Sequence, residues 1–156
     1  RALLRLRGSD EMGSSSGEVI VVPRNFVLLE ELEKTEKGLT DMSVSYGLVQ
    51  SDDITLSSWQ CTILGPPASP VPDRIISLML QCGPDYPAAL PRVVFQTKLN
   101  FPFVGPSGDF LPDKLPHKLH WDRSSGRIEK LLVEVKKAMC HQAYKKLAQP
   151  SDGATY

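Results

Sequence analysis

No stretch of this 156-residue chain is apolar for long enough to cross a membrane as a helix, so no span is predicted and no membrane partner is expected. Net charge is also missing. With 18 Lys and Arg against 18 Asp and Glu, the chain lacks the electrostatic footprint of a general nucleic-acid binder, and a partner would be met by shape and apolar contact. Cysteine is scarce and odd in number: Cys61, Cys82 and Cys140 cannot all pair within the chain, which argues against a disulfide framework. None is needed, because a chain of this length buries roughly two-thirds of its unfolded surface around a single core. At 41% apolar and 23% charged residues, the composition is that of an ordinary cytosolic or nuclear globular protein. The open question is whether one of the three thiols is a nucleophile.

Residues 1–7 (Arg-Ala-Leu-Leu-Arg-Leu-Arg) are basic and leucine-rich but too short for a signal peptide, and residues 8–17 are rich in Gly and Ser. We read residues 1–17 as a mobile leader or an expression remnant, a mitochondrial presequence being the other reading, and residues 18–156 as the folded domain.

Pro23 fixes the chain ahead of a helix in which Phe26, Leu29 and Leu32 recur at helical spacing beside Glu30, Glu31 and Glu33, ending near Gly38. Leu28 falls off that row, so apolar side chains leave this helix in two directions. From Met42 the period changes to two: Met42, Val44, Tyr46 and Leu48 alternate with Ser43, Ser45 and Gly47, the pattern of a strand with one buried face. Ser51-Asp52-Asp53 is turn chemistry, not a paired-carboxylate acid/base site. A second strand places Trp59, Cys61 and Ile63 on one face and Gln60 and Thr62 on the other, before Gly65-Pro66-Pro67 stops it. Residues 75–82 and 92–97 read as a third and a fourth strand.

Four strands at hairpin spacing predict an antiparallel meander whose buried face needs cover. Residues 127–147 supply it, with Ile128, Leu131, Leu132, Val135 and Met139 on one stripe and Ser125 as the expected N-cap. The fold class is α+β: helix, four-stranded sheet, long loop, helix. The loop over residues 98–121, with Pro102, Pro106, Pro112 and Pro116, is too long for a plain connection and is where function is sought.

These residues carry a resemblance. Val22-Pro23-Arg24-Asn25-Phe26, Leu28-Leu29-Glu30-Glu31-Leu32-Glu33, Ser45-Tyr46-Gly47-Leu48, Gly65-Pro66-Pro67, Cys82-Gly83-Pro84-Asp85-Tyr86-Pro87 and Thr97-Lys98-Leu99-Asn100 resemble the ubiquitin-conjugating enzyme variants. Within them the likeness is to the subgroup that pairs with a conjugating enzyme to build ubiquitin chains linked through ubiquitin's lysine sixty-three. The resemblance runs from about Val21 to Tyr156 and implies a ubiquitin-conjugating-enzyme-like fold without the last helices of the active enzymes, since only residues 148–156 follow the final predicted helix. Active members carry a His-Pro-Asn tripeptide, whose Asn helps stabilise an oxyanion, and then a cysteine nucleophile. Anchored on Ser107-Gly108 and Trp121, the tripeptide falls here on Phe101-Pro102-Phe103 and the nucleophile on Leu111. Neither Phe103 nor Leu111 has the required chemistry, so no catalytic residue is assigned.

By the same resemblance, Phe26, with Leu28 and Glu30, is expected to bind the cysteine-bearing partner enzyme in a heterodimer; periodicity alone reads Phe26 as core. Ser45, Thr62 and Ile75, on the outward side of three strands, match positions that cradle acceptor ubiquitin; the plain alternative is a solvated sheet face. The implied setting is DNA-damage tolerance, including postreplication repair, or other nondegradative signalling, in nucleus and cytoplasm. The three cysteines read as structural, because Cys61 and Cys82 lie on the apolar side of their strands and Cys140 at the edge of the last helix's stripe. His117 and His120 lack neighbouring ligands and His141 reads as a surface residue, so neither a metal nor another cofactor is expected. Two rivals remain: an active conjugating enzyme with a displaced cysteine, and a variant of the endosomal-sorting type that binds short Pro-rich peptides. The aromatics Phe101, Phe103 and Phe110 either cap the core or meet a partner.

Overall fold

The computed structural model describes residues 23–156; the expected leader at 1–17 and the first residues of the domain expected at 18–156 lie outside the described residues. Helix α1 spans Arg24–Glu36 and is followed by strands β1 (Val44–Leu48), β2 (Ser58–Leu64), β3 (Ile75–Gln81) and β4 (Arg92–Phe95), and by helix α2 (Ile128–Met139). Short 3-10 turns lie at Pro112–Lys114 and Gln142–Tyr144. The sheet is the expected antiparallel meander in the order β1-β2-β3-β4. Its register sets Ser45 opposite Thr62, Thr62 opposite Ser77, and Leu64 opposite Ile75.

Alternation decides the two faces. Val44, Tyr46, Trp59, Cys61, Ile63, Ile76, Leu78 and Leu80 point inward and are buried, and α2 covers them with Ile128, Leu131, Leu132, Val135, Ala138 and Met139. Truncating one of these leucines to alanine costs about 2–5 kcal/mol in a core of this kind.

Several boundaries differ from the sequence pattern, each for a local reason. In α1 the buried side chains are Val27, Leu28 and Glu31, whereas Leu29 is exposed and Phe26 and Leu32 half-buried. The row read as apolar is thus the flank of the helix, and the buried stripe lies one residue away. Met42, expected on the inward side of the first strand, is fully exposed. Asp41 explains this: its Oδ1 accepts the Ser43 N–H (2.9 Å) and hydroxyl (2.5 Å), holding a turn that delays the strand to Val44. Strand β4 ends at Phe95 because the Gln96 and Thr97 N–H groups both turn to Ser77 O (2.9 and 3.2 Å).

Helix α2 stops at Met139, well before the expected residue 147. His141 is extended, and the next turn drives Tyr144 against Phe101 and Phe103 at centroid distances of 5.8 and 6.2 Å. Docking one aromatic ring has outweighed the remaining helical turns. Nor does Ser125 cap α2: its hydroxyl donates to Asp122 Oδ1 (3.0 Å), and the cap residue is Arg127 with no side-chain cap bond of its own. The first amide of α2 is satisfied from elsewhere, by Glu31.

After Tyr144 the described chain forms a tail that is tied down along its length. The Lys98 N–H donates to Ala154 O (2.8 Å) and the Tyr156 N–H to Gln96 O (3.2 Å). Gln149 accepts the Asn100 N–H through Oε1 (2.8 Å) and donates Nε2–H to Asn100 O (2.8 Å). The tail covers the edge beyond β4, where an unpaired ladder would otherwise face solvent.

Candidate functional site

The long loop returns to the sheet and closes on its own aromatic cluster. Phe101 and Phe103 stack at 5.1 Å, Phe103 meets Phe110 at 6.5 Å, and Phe110 meets Phe95 of β4 at 6.3 Å. All four rings are buried, which answers whether the loop aromatics cap the core or face outward: they cap it. Gly108 makes the tight return possible, with φ +92 and its α-carbon so close to the sheet that a Cβ would lie 2.4 Å from Phe95 O. The Leu111 N–H then donates to Phe103 O (2.7 Å), so the two positions expected from the resemblance to match oxyanion donor and nucleophile lie on paired backbone segments. Phe103 turns fully into the core, while Leu111 stands 37% exposed. The side chain that the resemblance sets at the nucleophile's place is thus accessible and has no heteroatom.

The thiols lie elsewhere. Cys61 and Cys82 are buried, and burial pushes both up from the ordinary thiol range, Cys82 to about 12. Neither forms thiolate near neutrality. Cys140 is half-buried where α2 ends. His117 Nε2 lies 2.9 Å from Glu134 Oε2 as an exposed pair, and His141 accepts the Ala143 N–H (3.2 Å). Among the described residues, no group of three or more His, Cys, Asp or Glu gathers that could hold a metal ion.

The second candidate surface is the start of α1. Arg24 pins it: Nε donates to Gly83 O (2.8 Å), Nη1 to Thr55 O (2.7 Å), and Nη2 to Cys82 O and the Ser57 hydroxyl (both 2.9 Å). One guanidinium therefore joins the helix to the β1–β2 and β3–β4 loops, using the planar donor fork that suits several carbonyls at once. Phe26 is half-buried on the first turn and Glu30 is exposed, but Leu28 is 0% exposed. Its expected contact with a partner is corrected: the Leu28 side chain belongs to the core, and Leu29, 45% exposed and three residues after Phe26, takes its place on the outward flank.

Glu31 holds the other side of α1. It is 5% exposed, with Oε1 accepting the Ile128 N–H at the start of α2 (2.6 Å) and Oε2 accepting the Tyr86 hydroxyl. Desolvation outweighs these bonds and raises its pKa from 4.5 to about 7. The sequence pattern grouped Glu31 with its acidic neighbours, and only its place four residues after Val27 signalled burial. Arg24 and Glu31 together fix the axis on which Phe26 stands.

The third surface is the outer face of the sheet, where Ser45, Thr62 and Ile75 lie together, Ile75 being 67% exposed. Leu64 shares the outward parity of Thr62, is 43% exposed, and is the direct register partner of Ile75.

A four-stranded antiparallel meander with one helix before it, one after it, and a long loop closed by aromatics defines the class: a ubiquitin-conjugating-enzyme-like domain. The human protein described as "ubiquitin-conjugating enzyme E2 G1" has this fold, with a TM-score of 0.59 over 77% of this chain and 98% of that one, at 24% identity. The family model described as "Ubiquitin-conjugating enzyme" matches residues 28–155. "Ubiquitin-conjugating enzyme variant MMS2" of Saccharomyces cerevisiae is 48% identical over 135 residues, covering 86% of this chain and 98% of the yeast protein. "Ubiquitin-conjugating enzyme spm2" of Schizosaccharomyces pombe is 48% identical over 136 residues, with 86% and 97% covered. "Ubiquitin-conjugating enzyme E2 variant 1B" of Arabidopsis thaliana is 46% identical over 143 residues, with 91% and 89% covered. The chain belongs to the ubiquitin-conjugating enzyme family and, within it, to the ubiquitin-conjugating enzyme variants.

Proposed function

We propose that this variant is a non-catalytic cofactor: it heterodimerises with a cysteine-bearing conjugating enzyme and holds an acceptor ubiquitin for synthesis of chains linked through ubiquitin's lysine sixty-three. The observation that supports this reading is the loop: Leu111, which the resemblance sets at the nucleophile's position, is accessible but carries no heteroatom, and Phe103 is turned into the core. A thioester needs a nucleophilic sulfur, and an oxyanion needs a donor; neither side chain supplies one. Phe26, Leu29 and Glu30 would meet the partner, with Phe26 as anchor. Ser45, Thr62 and Ile75 would seat acceptor ubiquitin with its lysine toward the partner's thioester. The contribution is positional, since fixing one nucleophile near one electrophile supplies effective molarity and selects among lysines. The setting is DNA-damage tolerance and nondegradative signalling, in nucleus and cytoplasm.

The test is a mixture with activating enzyme, ATP and ubiquitin. Alone, the chain is expected to give no reducible adduct; with a partner conjugating enzyme it is expected to give free chains that neither protein makes by itself. A reducible adduct abolished by mutating one of its own cysteines would overturn the reading in favour of an active enzyme.

A further inference from the structure

Beyond Phe95 the chain runs on beside the sheet, and its main-chain groups face two ways. Toward β3, the Gln96 and Thr97 N–H groups donate to Ser77 O. On the other side, residues 96–100 are met by residues 148–156. The Lys98 N–H donates to Ala154 O (2.8 Å) and the Tyr156 N–H to Gln96 O (3.2 Å), with Thr97 and Thr155 paired antiparallel between them. The Gln149 amide answers both main-chain groups of Asn100 (2.8 Å each), and Asn100 Nδ2 donates to Ala148 O (2.9 Å). The Tyr156 hydroxyl lies 3.4 Å from Leu99 N and 3.3 Å from Leu99 O. Residues 148–156 are therefore bound as an added strand is bound, by main-chain pairing with an aromatic side chain read at one end.

What this segment lacks is an apolar hold. Tyr144 is buried and Leu147 packs against the core, but from residue 148 onward no side chain is buried. The Tyr156 ring rests over Gly108, where a Cβ would stand 3.0 Å from it, yet the residue is 42% exposed. Even the tie to Arg74, whose Nη1 donates to Pro150 O (2.6 Å), is made to a main-chain atom. Bonds of this kind exchange for bonds to water and contribute little net, while each ordered residue costs conformational entropy. A segment so held opens by itself with the sheet intact. It leaves behind the unpaired edge of residues 96–100, and such an edge is a template for an extended peptide. Main-chain pairing there is indifferent to sequence. Selection falls to the positions that Tyr156 and Gln149 now fill, and Ala154, Thr155 and Tyr156 lie on the edge without a charged side chain.

We propose that residues 148–156 form a displaceable strap over a peptide-docking groove: the edge of residues 96–100, with Gly108 as its floor, takes an extended, tyrosine-bearing segment of a partner protein in the strap's place. What the groove already holds defines the occupant: a strand opposite Thr97, an aromatic hydroxyl at Leu99, a side-chain amide at Asn100. The groove adjoins β4, whereas α1 packs on β1 at the other edge of the sheet. Docking here leaves the start of α1 free.

The probe is a fluorescent synthetic peptide with the sequence of residues 147–156, Leu-Ala-Gln-Pro-Ser-Asp-Gly-Ala-Thr-Tyr, beside a control peptide in which alanine replaces the tyrosine. Both are titrated against the full chain as wild type and as the double variant Gln149→Ala/Tyr156→Ala, whose strap has lost its side-chain contacts. A tethered strap competes at high effective concentration, so the double variant is expected to bind the peptide at least about tenfold more tightly than the wild type. The control peptide is expected to bind neither. Native-state hydrogen exchange of the wild type gives a second reading that needs no variant. The Lys98 and Tyr156 amides are expected to exchange on the order of a hundredfold faster than the paired amides of β2 and β3, and the peptide is expected to slow Lys98 in the double variant. Equal affinity of the two chains for the peptide overturns the proposal, as does equal binding of the control peptide. Lys98 and Tyr156 amides as slow as those of β2 and β3 overturn it too, because the strap then opens only with the whole fold. A wild-type dimer that excess peptide dissolves assigns the groove to a second copy's strap and overturns the partner.

Discussion

Glu31 is the residue with most to answer for. A carboxylate at 5% exposure is costly to keep ionised, yet both of its oxygens accept bonds, from the first amide of α2 and from the Tyr86 hydroxyl. Tyr46, Cys61 and Cys82 surround it with groups that also stay neutral, and Arg127 is the cation that faces it. Folding raises its pKa from 4.5 to about 7, so between those values the native state holds a proton that the unfolded chain has released. Stability from this group is then fully present below about pH 4.5, falls as pH rises, and levels off near pH 7, a loss on the order of 3 kcal/mol. Glu31→Gln keeps an acceptor for the Ile128 amide and has no proton to lose. Urea midpoints between pH 4.5 and 8 are expected to decline in the wild type relative to Glu31→Gln. Parallel profiles would show that Glu31 titrates at its ordinary value.

At the scale of elements, periodicity found the four strands, their order and both helices, because alternation and the 3.6-residue repeat are local signals. Where local chemistry met a distant partner, the pattern failed. Ser125 looked like a cap but is held by Asp122, and the cap came from a helix 97 residues away. The last helix was expected to run to residue 147, but it ends at Met139 and Tyr144 joins Phe101 and Phe103. For the site, the resemblance put Ser45, Thr62 and Ile75 on one face. It also drew Leu28 outward, where one turn of helix geometry places it in the core. The tail was legible only as a remainder, because its bonds run to Asn100, Lys98 and Gln96, which no periodicity links to it. One substitution tests how tightly loop, strand and tail are joined. A methyl at Gly108 would meet Phe95 O at 2.4 Å and the Tyr156 ring at 3.0 Å, at a φ of +92. Gly108→Ala is expected to cost about 2 kcal/mol or more by denaturant unfolding. Gly83→Ala, where a Cβ meets nothing within 4 Å, serves as the control and is expected to change stability little. Equal midpoints for the two variants would mean that the loop yields where the geometry says it is locked.

The whole molecule separates its two candidate contacts by placing them on different elements and opposite sides. Phe26 rides on α1, which packs against β1 from the inner side and is fixed by Arg24 and Glu31. Ile75 stands on the outer face of β3, tied through Arg74 to the tail. The two share no bonded partner, and changes at sites so separated add within a few tenths of a kcal/mol. The function proposed above would gain from this independence, since one partner can be released while the other stays. On the proposed function, Phe26→Ala is expected to weaken the heterodimer by about 2–4 kcal/mol, the usual range for a desolvated aromatic anchor, and to leave ubiquitin binding, read by chemical-shift change, unaltered. Ile75→Ala is expected to do the reverse: full heterodimer by calorimetry, slower chain synthesis through a higher KM for the acceptor. Combined, the two losses should sum. If either variant loses both interactions equally while its melting temperature holds, the faces are not separate, and the geometry has been assigned to the wrong partners.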